Sequence, residues 1–288
     1  MPIEVKNLSH IYMKGTLSEV TALSEISFCI EDGEFVGVIG ATGSGKSTLI
    51  QHFNGLLKPS SGTVTVDGVD IWSKGVSLKK IRQKIGLVFQ YPEQQVFEET
   101  VFEDIAFGPR NLGYSQEEVE AQVEEARKIV GLDRELLSRS PFELSGGQVR
   151  RVAIAGILAT KPKVLVLDEP AAGLDPQGRK EILDNVKCLH ETGMTVILVS
   201  HNMDDVARLC QRIMVLHRGK LVTDGSPRNV FSQGRFLESL GLKSPDVTVL
   251  MERLKDRGWN VREDVLTVEE AYSEIIKELR GRGVAGVL

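Results

Sequence analysis

The segment Gly40-Ala41-Thr42-Gly43-Ser44-Gly45-Lys46-Ser47-Thr48 constrains this chain more than any other. It follows the apolar run Phe35–Ile39 and leads into Leu49-Ile50, so the pattern GxxxxGK[ST] stands where it requires a strand before it and a helix after it. The glycines allow successive backbone N–H groups to turn inward around phosphate oxygens. A helix beginning near Lys46 adds its positive N-terminal end. Lys46 brings a full charge to the β- and γ-phosphates, and the Ser47 hydroxyl is a ligand for Mg²⁺. The segment therefore predicts a nucleoside triphosphate site at a strand–loop–helix junction, without saying which reaction follows.

The rest of the chain supplies the strands and helices that such a junction needs. β-like segments are expected at Ile3–Leu8, Ile26–Ile30, Phe35–Ile39, Thr63–Val66, Ile85–Phe89, Val164–Asp168, Thr195–Ser200 and Ile213–His217. The later ones alternate with helical apolar spacing, the mark of an α/β fold with a largely parallel sheet. The runs VLVLD and TVILVS are apolar on both faces, as central parallel strands are. The early part is more antiparallel in character, and ISFCIEDGEF resembles a hairpin turning at Asp32-Gly33. From Glu93 to Thr160 the pattern is mostly helical, which predicts a helical insertion.

A change follows Gly225. Ser244-Pro245 has the form of an N-cap followed by proline in the first helical turn. Val247, Leu250, Met251 and Leu254 then share a face. Thr267 and Glu270 have capping-box spacing, with Val268, Ala271, Ile275 and Leu279 as an apolar stripe ended by Gly281. Residues 227–281 read as a small helical appendage that either packs on the main domain or binds a partner. The terminal residues 280–288 are expected to be loose.

Length allows one large domain plus such an appendage. A hydrophobic fraction of 41% and a charged fraction of 26% suit a folded globular protein. A net charge of −5 speaks against a nucleic-acid coat, which is usually basic. Cys29, Cys188 and Cys210 form no CxxC pair and predict buried small apolar side chains in a reducing compartment. The start, MPIEVKNLSH, has no basic region followed by an apolar stretch, so no signal peptide is expected. Nowhere do 18 or more apolar residues run together, the length needed to cross a bilayer. Service to a membrane would come from its side.

Chemistry is also expected at Asp168-Glu169, which end an apolar strand. Asp168 is placed to hold Mg²⁺. Glu169 points elsewhere and can act on the water in line with the γ-phosphate. His201 follows the adjacent apolar strand and is placed to touch the γ-phosphate, whereas His10, His52, His190 and His217 have no such context. Gln90 ends the strand Ile85–Phe89 and can contact Mg²⁺ and water. Leu144-Ser145-Gly146-Gly147-Gln148 precedes a helix expected over Val149–Ala159. Two glycines and a serine at a helix N-terminus make a second anion site, which makes sense if it serves another molecule's nucleotide.

With these residues in order, the sequence from about Met1 to Gly225 resembles the ATP-binding cassette proteins: phosphate loop at Gly40–Ser47, glutamine loop at Gln90, signature at Leu144–Gln148, Asp168-Glu169, a following loop at Ala172-Gly173-Leu174-Asp175, and the switch His201. The resemblance implies a P-loop NTPase core with an antiparallel β subdomain and a helical subdomain. It also implies two cassettes paired head to tail, each ATP lying between one phosphate loop and the partner's signature. Tyr12 resembles the aromatic that stacks on adenine, although by position alone it reads equally as stacking or packing. On the residues Gln90–Pro109, Arg150–Gly156 and the appendage, the chain is similar to the ATPases of energy-coupling-factor importers for vitamins and transition-metal ions, where the appendage aids dimerisation. The stretch Gln94–Val101 is similar to the second ATPase type of such pairs. That similarity implies a second ATPase, either a related chain or another copy of this one, a transmembrane coupling subunit and a membrane substrate-binding subunit, no nucleic acid, and a peripheral place on the cytoplasmic face of the cell membrane. Ala171, where threonine is more usual, and Val149, where a basic residue is common, depart from the pattern. Competing readings are a cassette of another transporter type, a cassette ATPase acting on ribosomes or DNA, and a P-loop kinase. One motif set, no sustained heptads and the signature argue against the last two.

Overall fold

The computed structural model describes residues 1–282. The expected loose end therefore lies, from residue 283 onward, outside the described residues.

Two sheets organise the chain. The first is antiparallel, in the order β2 (Val20–Ile30), β1 (Ile3–Tyr12), β4 (Ser61–Val66), β5 (Val69–Asp70). The second runs β10 (Lys220–Gly225), β9 (Arg212–His217), β3 (Phe35–Ile39), β8 (Thr195–Val199), β7 (Val164–Asp168), β6 (Ile85–Val88). All its neighbours pair in parallel except β10 with β9. Every residue of β3, β6, β7 and β8 is buried, because both faces of a parallel sheet are covered.

Successive side chains of these strands feed opposite cores, as the period of two requires. Val164, Val166, Ile197 and Val199 join Ile3, Val5 and Leu8 of the first sheet and Leu49, Ile50 and Phe53 of α1 (Lys46–Phe53). Leu165, Leu167, Val196 and Leu198 face the other way. They meet α3 (Val101–Leu112), α4 (Gln116–Ile129), α5 (Gly146–Leu158), α6 (Pro176–Glu191) and α7 (Met203–Leu209). The short α2 (Leu78–Lys84) leads into β6. Residues 93–160 hold α3, α4 and α5 and no strand.

Four expectations need correction. The segment around Asp32-Gly33 is a turn but not a hairpin: Ile30 ends a strand of the antiparallel sheet, while Phe35 begins β3 between β8 and β9 of the other. The turn passes the chain from one sheet to the other, a step that local turn chemistry does not distinguish from a hairpin. The helix after Leu144 begins at Gly146, with Ser145 as its cap. Cys188 is exposed and Cys29 only half-buried, leaving Cys210 as the buried thiol. In the appendage, Pro245 occupies the cap position without a side-chain bond.

The appendage comprises α8 (Pro227–Phe231), α9 (Gly234–Ser239), α10 (Asp246–Asp256) and α11 (Val268–Gly281). Met251, Val261, Val265 and Ala271 form a small core of their own, with Val247, Leu254 and Ile275 against it. Leu250 and Val268, members of the two apolar faces, are 46% and 72% exposed. Thr267 accepts from the Glu270 N–H at 3.2 Å, but the Glu270 carboxylate accepts instead from the Leu266 N–H at 3.0 Å and pairs with Arg228. Half the capping box is thereby diverted into tying α11 to α8.

Candidate active site

The carboxyl ends of parallel strands collect the site. Gly40 follows β3, Gln90 lies just past β6, Asp168 ends β7 and His201 follows β8. In an open parallel sheet this edge is where ligands bind. Gly40, Ala41, Thr42, Gly43, Gly45, Lys46, Ser47, Thr48, Gln90, Asp168, Glu169 and His201 line one cleft of 620 Å³.

The loop that leaves β3 is shaped for anions. Gly45 has φ +106, and a Cβ there would lie 2.7 Å from the Ala22 carbonyl oxygen and 2.8 Å from Leu23 Cδ2, so no other residue fits. Lys46 opens α1, and its Nζ donates to the carbonyls of Gly40 at 2.7 Å and Ala41 at 3.1 Å. Burial pulls the Lys46 ammonium below its usual range, and the charges of Glu169 and Asp168 oppose that. The Ser44 hydroxyl is buried without a hydrogen-bond partner. A buried orphan of this kind calls for a ligand atom or water.

The two acids diverge. Asp168 is buried and hydrogen-bonded to the Ser47 hydroxyl; burial raises its carboxyl, and the Ser47 bond and Lys46 charge work against that. Glu169 adopts φ +53, and its N–H donates to the Val199 carbonyl at 3.0 Å. A non-glycine residue in this left-handed region holds local strain, a habit of functional sites. The twist directs Glu169 Oε2 to within 2.8 Å of His201 Nδ1, whose N–H donates to it. Burial raises the Glu169 carboxyl; the bond to His201 is the larger of the effects that lower it.

Tyr12 stands outside the cleft lining. Its hydroxyl lies 3.2 Å from Thr48 Oγ1, and its ring meets His10 edge-on with centroids 4.5 Å apart. At 38% exposure the residue packs against His10 and keeps a free surface. His10 and His52, expected to be bland, are a buried pair, Nδ1 to Nε2 at 3.1 Å, with His52 Nδ1 donating to the Thr48 carbonyl at 2.7 Å.

Ser145, Gly147 and Gln148 line a different pocket, of 570 Å³, with no residue in common with the first. Ser145 caps α5, and Gln148 Oε1 accepts from the Ser145 N–H at 3.0 Å. A Cβ on Gly146 would meet nothing within 4 Å, and one on Gly147 only Leu174 at 3.8 Å. Packing within the chain does not require glycine at either position, which leaves both open to close approach from outside.

The sequence matches the model of the ABC transporter family over residues 23–172. The energy-coupling factor transporter ATP-binding protein EcfA2 of Caldanaerobacter subterraneus subsp. tengcongensis is 58% identical over 98% of this chain and 99% of its own. The protein of the same name from Clostridium tetani is 55% identical over 96% and 97%. The chain belongs to the ABC transporter family.

Solved cassettes share the architecture. The structure of cbiO1 from Clostridium perfringens, described as part of the ABC transporter complex cbiONQ, superposes with a TM-score of 0.73 at 36% identity, covering 88% of this chain and 97% of that one. A dimeric post-hydrolysis state of the ATP-binding cassette MJ0796 bound to ADP and Pi gives 0.70 at 31% identity over 78% and 98%. This cassette is thus an ATP-binding and ATP-hydrolysing chain of the energy-coupling-factor type.

Arg150 is the residue whose place the sequence did not disclose. It is 4% exposed on α5, and its guanidinium donates to both oxygens of Glu93 at 3.1 Å, to the Pro170 carbonyl at 3.4 Å and to the Ala172 carbonyl. One side chain thereby joins the helix behind the signature to the segments after Gln90 and after Glu169. A second arginine, Arg151, follows directly in sequence but binds Glu181 and the Val130 carbonyl near the surface. Adjacent identical residues, one buried and one half-buried, are separable only by helix phase.

Proposed function

We propose that this cassette drives a membrane importer by hydrolysing ATP between two cassettes paired head to tail. The observation that carries the reading is the separation just described. The phosphate loop, Asp168, Glu169 and His201 converge on one cleft, while the signature residues open on another. A nucleotide bound in the cleft of one chain is completed by Ser145, Gly146, Gly147 and Gln148 of another, using the helix N-terminus as the anion site.

The geometry supports the following roles. The inward backbone of Gly40–Gly45 and the Ser44 hydroxyl cradle phosphates, Lys46 supplies charge, and Ser47 and Thr48 open the helix beneath them. Tyr12 offers its ring to the base. Mg²⁺ fits the donor set: Ser47 hydroxyl and Asp168 carboxylate already bonded to each other, with the Gln90 amide on the same wall. Among the described residues no three acidic, histidine or cysteine side chains could hold a metal by themselves. That suits an ion held by few protein oxygens together with water and phosphate, which would neutralise charge as it develops. Glu169 takes the proton of the water that attacks the γ-phosphorus as the bond to ADP breaks. His201 fixes that carboxylate through Nδ1 and leaves its other ring nitrogen for the γ-phosphate.

Residues 1–226 act as the nucleotide-binding domain, with about 93–160 as its helical subdomain. Residues 227–288 form an extension that aids dimerisation, for which exposed Leu250, Val268 and Tyr272 supply apolar surface. The partners are a related ATPase, a transmembrane coupling subunit and membrane substrate-binding subunits that choose a vitamin or transition-metal ion; nucleic acid has no part. Exposed Phe97 and Phe107, edge-to-face at 4.9 Å, offer the coupling subunit's helices an aromatic surface in the stretch after Gln90. No described helix is long and apolar enough to cross a membrane, in keeping with a peripheral place on the cytoplasmic face. Tagging the chain in its own cell, solubilising membranes gently and identifying what copurifies tests the proposal. A second cassette with a multi-spanning protein supports it, and recovery with ribosomes or DNA and no membrane partner overturns it.

A further inference from the structure

We infer that the extension reaches back into its own chain's nucleotide cleft, where Lys243 binds the triphosphate as a second cation. The inference rests on ATP occupying that cleft. Gly241, Leu242 and Lys243 line it together with the phosphate loop, Glu169, His201 and Met203.

The backbone on both sides of Lys243 is held in place. Leu242 is buried in the large core and its N–H donates to the Leu237 carbonyl at 2.9 Å. Ser244 and Pro245 are buried, and the Asp246 N–H donates to Asp204 Oδ1 at 3.1 Å. Asp204 lies in the first turn of α7, three residues past His201 in the chain. Lys243 is exposed between buried Leu242 and Ser244. Its exposed side stands at the lining of the cleft. No ion-pair partner holds Lys243 among the described residues.

Charge gives the residue its purpose. The cleft wall carries the carboxylates Asp168 and Glu169 and the cations Lys46 and Lys243. Without Lys243 the lining would be net negative, a poor reception for a polyanion. A lysine on a flexible four-carbon stem serves as a mobile point charge there. Because Asp246 is bonded to the helix that follows the switch histidine, this contact also ties the extension to the nucleotide.

Equilibrium binding of a fluorescent ATP analogue with Mg²⁺ to the full chain is the test. Wild-type binding that Lys46→Ala abolishes establishes the cleft; its absence would defeat the proposed function itself. Given that binding, Lys243→Gln should weaken ATP about three- to tenfold, Lys243→Glu by more than about tenfold, and Lys243→Arg by less than about twofold. The ADP analogue, with one phosphate fewer, should be affected less. Lys243 is exposed, so thermal stability should be unchanged. Wild-type affinity in both Lys243→Gln and Lys243→Glu overturns the inference while leaving the function standing.

Discussion

Glu169 and His201 are bonded across the ends of adjacent parallel strands, Oε2 to Nδ1 at 2.8 Å, with the glutamate 12% and the histidine 73% exposed. The acid is shielded and its orienting partner faces the opening. A carboxylate raised by burial is a better proton acceptor than a solvated one. Glu169→Gln keeps the side chain's size and removes its basicity. The expected result is ATP binding near wild type, a more persistent ATP-bound dimer and turnover lower by about 10²–10⁴-fold. Unchanged turnover in that variant removes Glu169 from the chemistry.

The signature offers a test of pairing. Gly147→Asp places a carboxylate where the second pocket opens, with room for it beside Leu174. The variant chain should bind ATP in its own cleft as before, and should fail to associate with a partner cassette when ATP is added. Light scattering with and without ATP reads the difference. ATP-dependent association at the wild-type level would sink the head-to-tail arrangement.

The pair His10 and His52 sets a pH limit on stability. Burial pushes His52 down to about 4 from its ordinary 6.5. The unfolded chain therefore takes up a proton that the folded one refuses, so stability is full above pH 6.5 and declines as pH falls toward 4. The gap between the two values is worth at most about 3 kcal/mol. Urea unfolding at pH 7 and pH 5 should show the loss, and His52→Gln should make the profile flatter. A profile of equal slope in the variant assigns the acid lability elsewhere.

Arg150→Ala removes a buried guanidinium that serves Glu93 and two carbonyls at once. The stranded acceptors should cost about 2–4 kcal/mol, lowering Tm by about 5–15 °C for a chain of this size. Arg150→Lys keeps the charge without the fork and should recover only part of the loss. A Tm within 2 °C of wild type for Arg150→Ala, well below that range, would show that the three segments are held by something else.

These residues also mark what could be read from the chain alone. The phosphate loop stood out in the sequence because Gly45 takes a backbone shape, φ +106 with no space for a Cβ, that only glycine permits. The central strands were legible because burial on both faces leaves no room for polar residues. The hairpin at Asp32-Gly33 was misread because a turn tells nothing of the sheet its second strand will join. Leu250 and Val268 belong to apolar faces by periodicity, yet the appendage is too small to cover a full apolar stripe. Arg150 and the His10–His52 pair were hidden for a further reason: their partners lie 57 and 42 residues away, and a charged or polar side chain advertises exposure unless those partners are known.

The distance between phosphate loop and signature within one chain has a consequence for the cell that makes it. Subunits are rarely synthesised in perfect ratio, and on the proposed pairing an unpaired copy carries the groups that grip the nucleotide while its own signature opens on a different pocket. Shape alone would then keep a lone cassette from spending ATP, without an inhibitor.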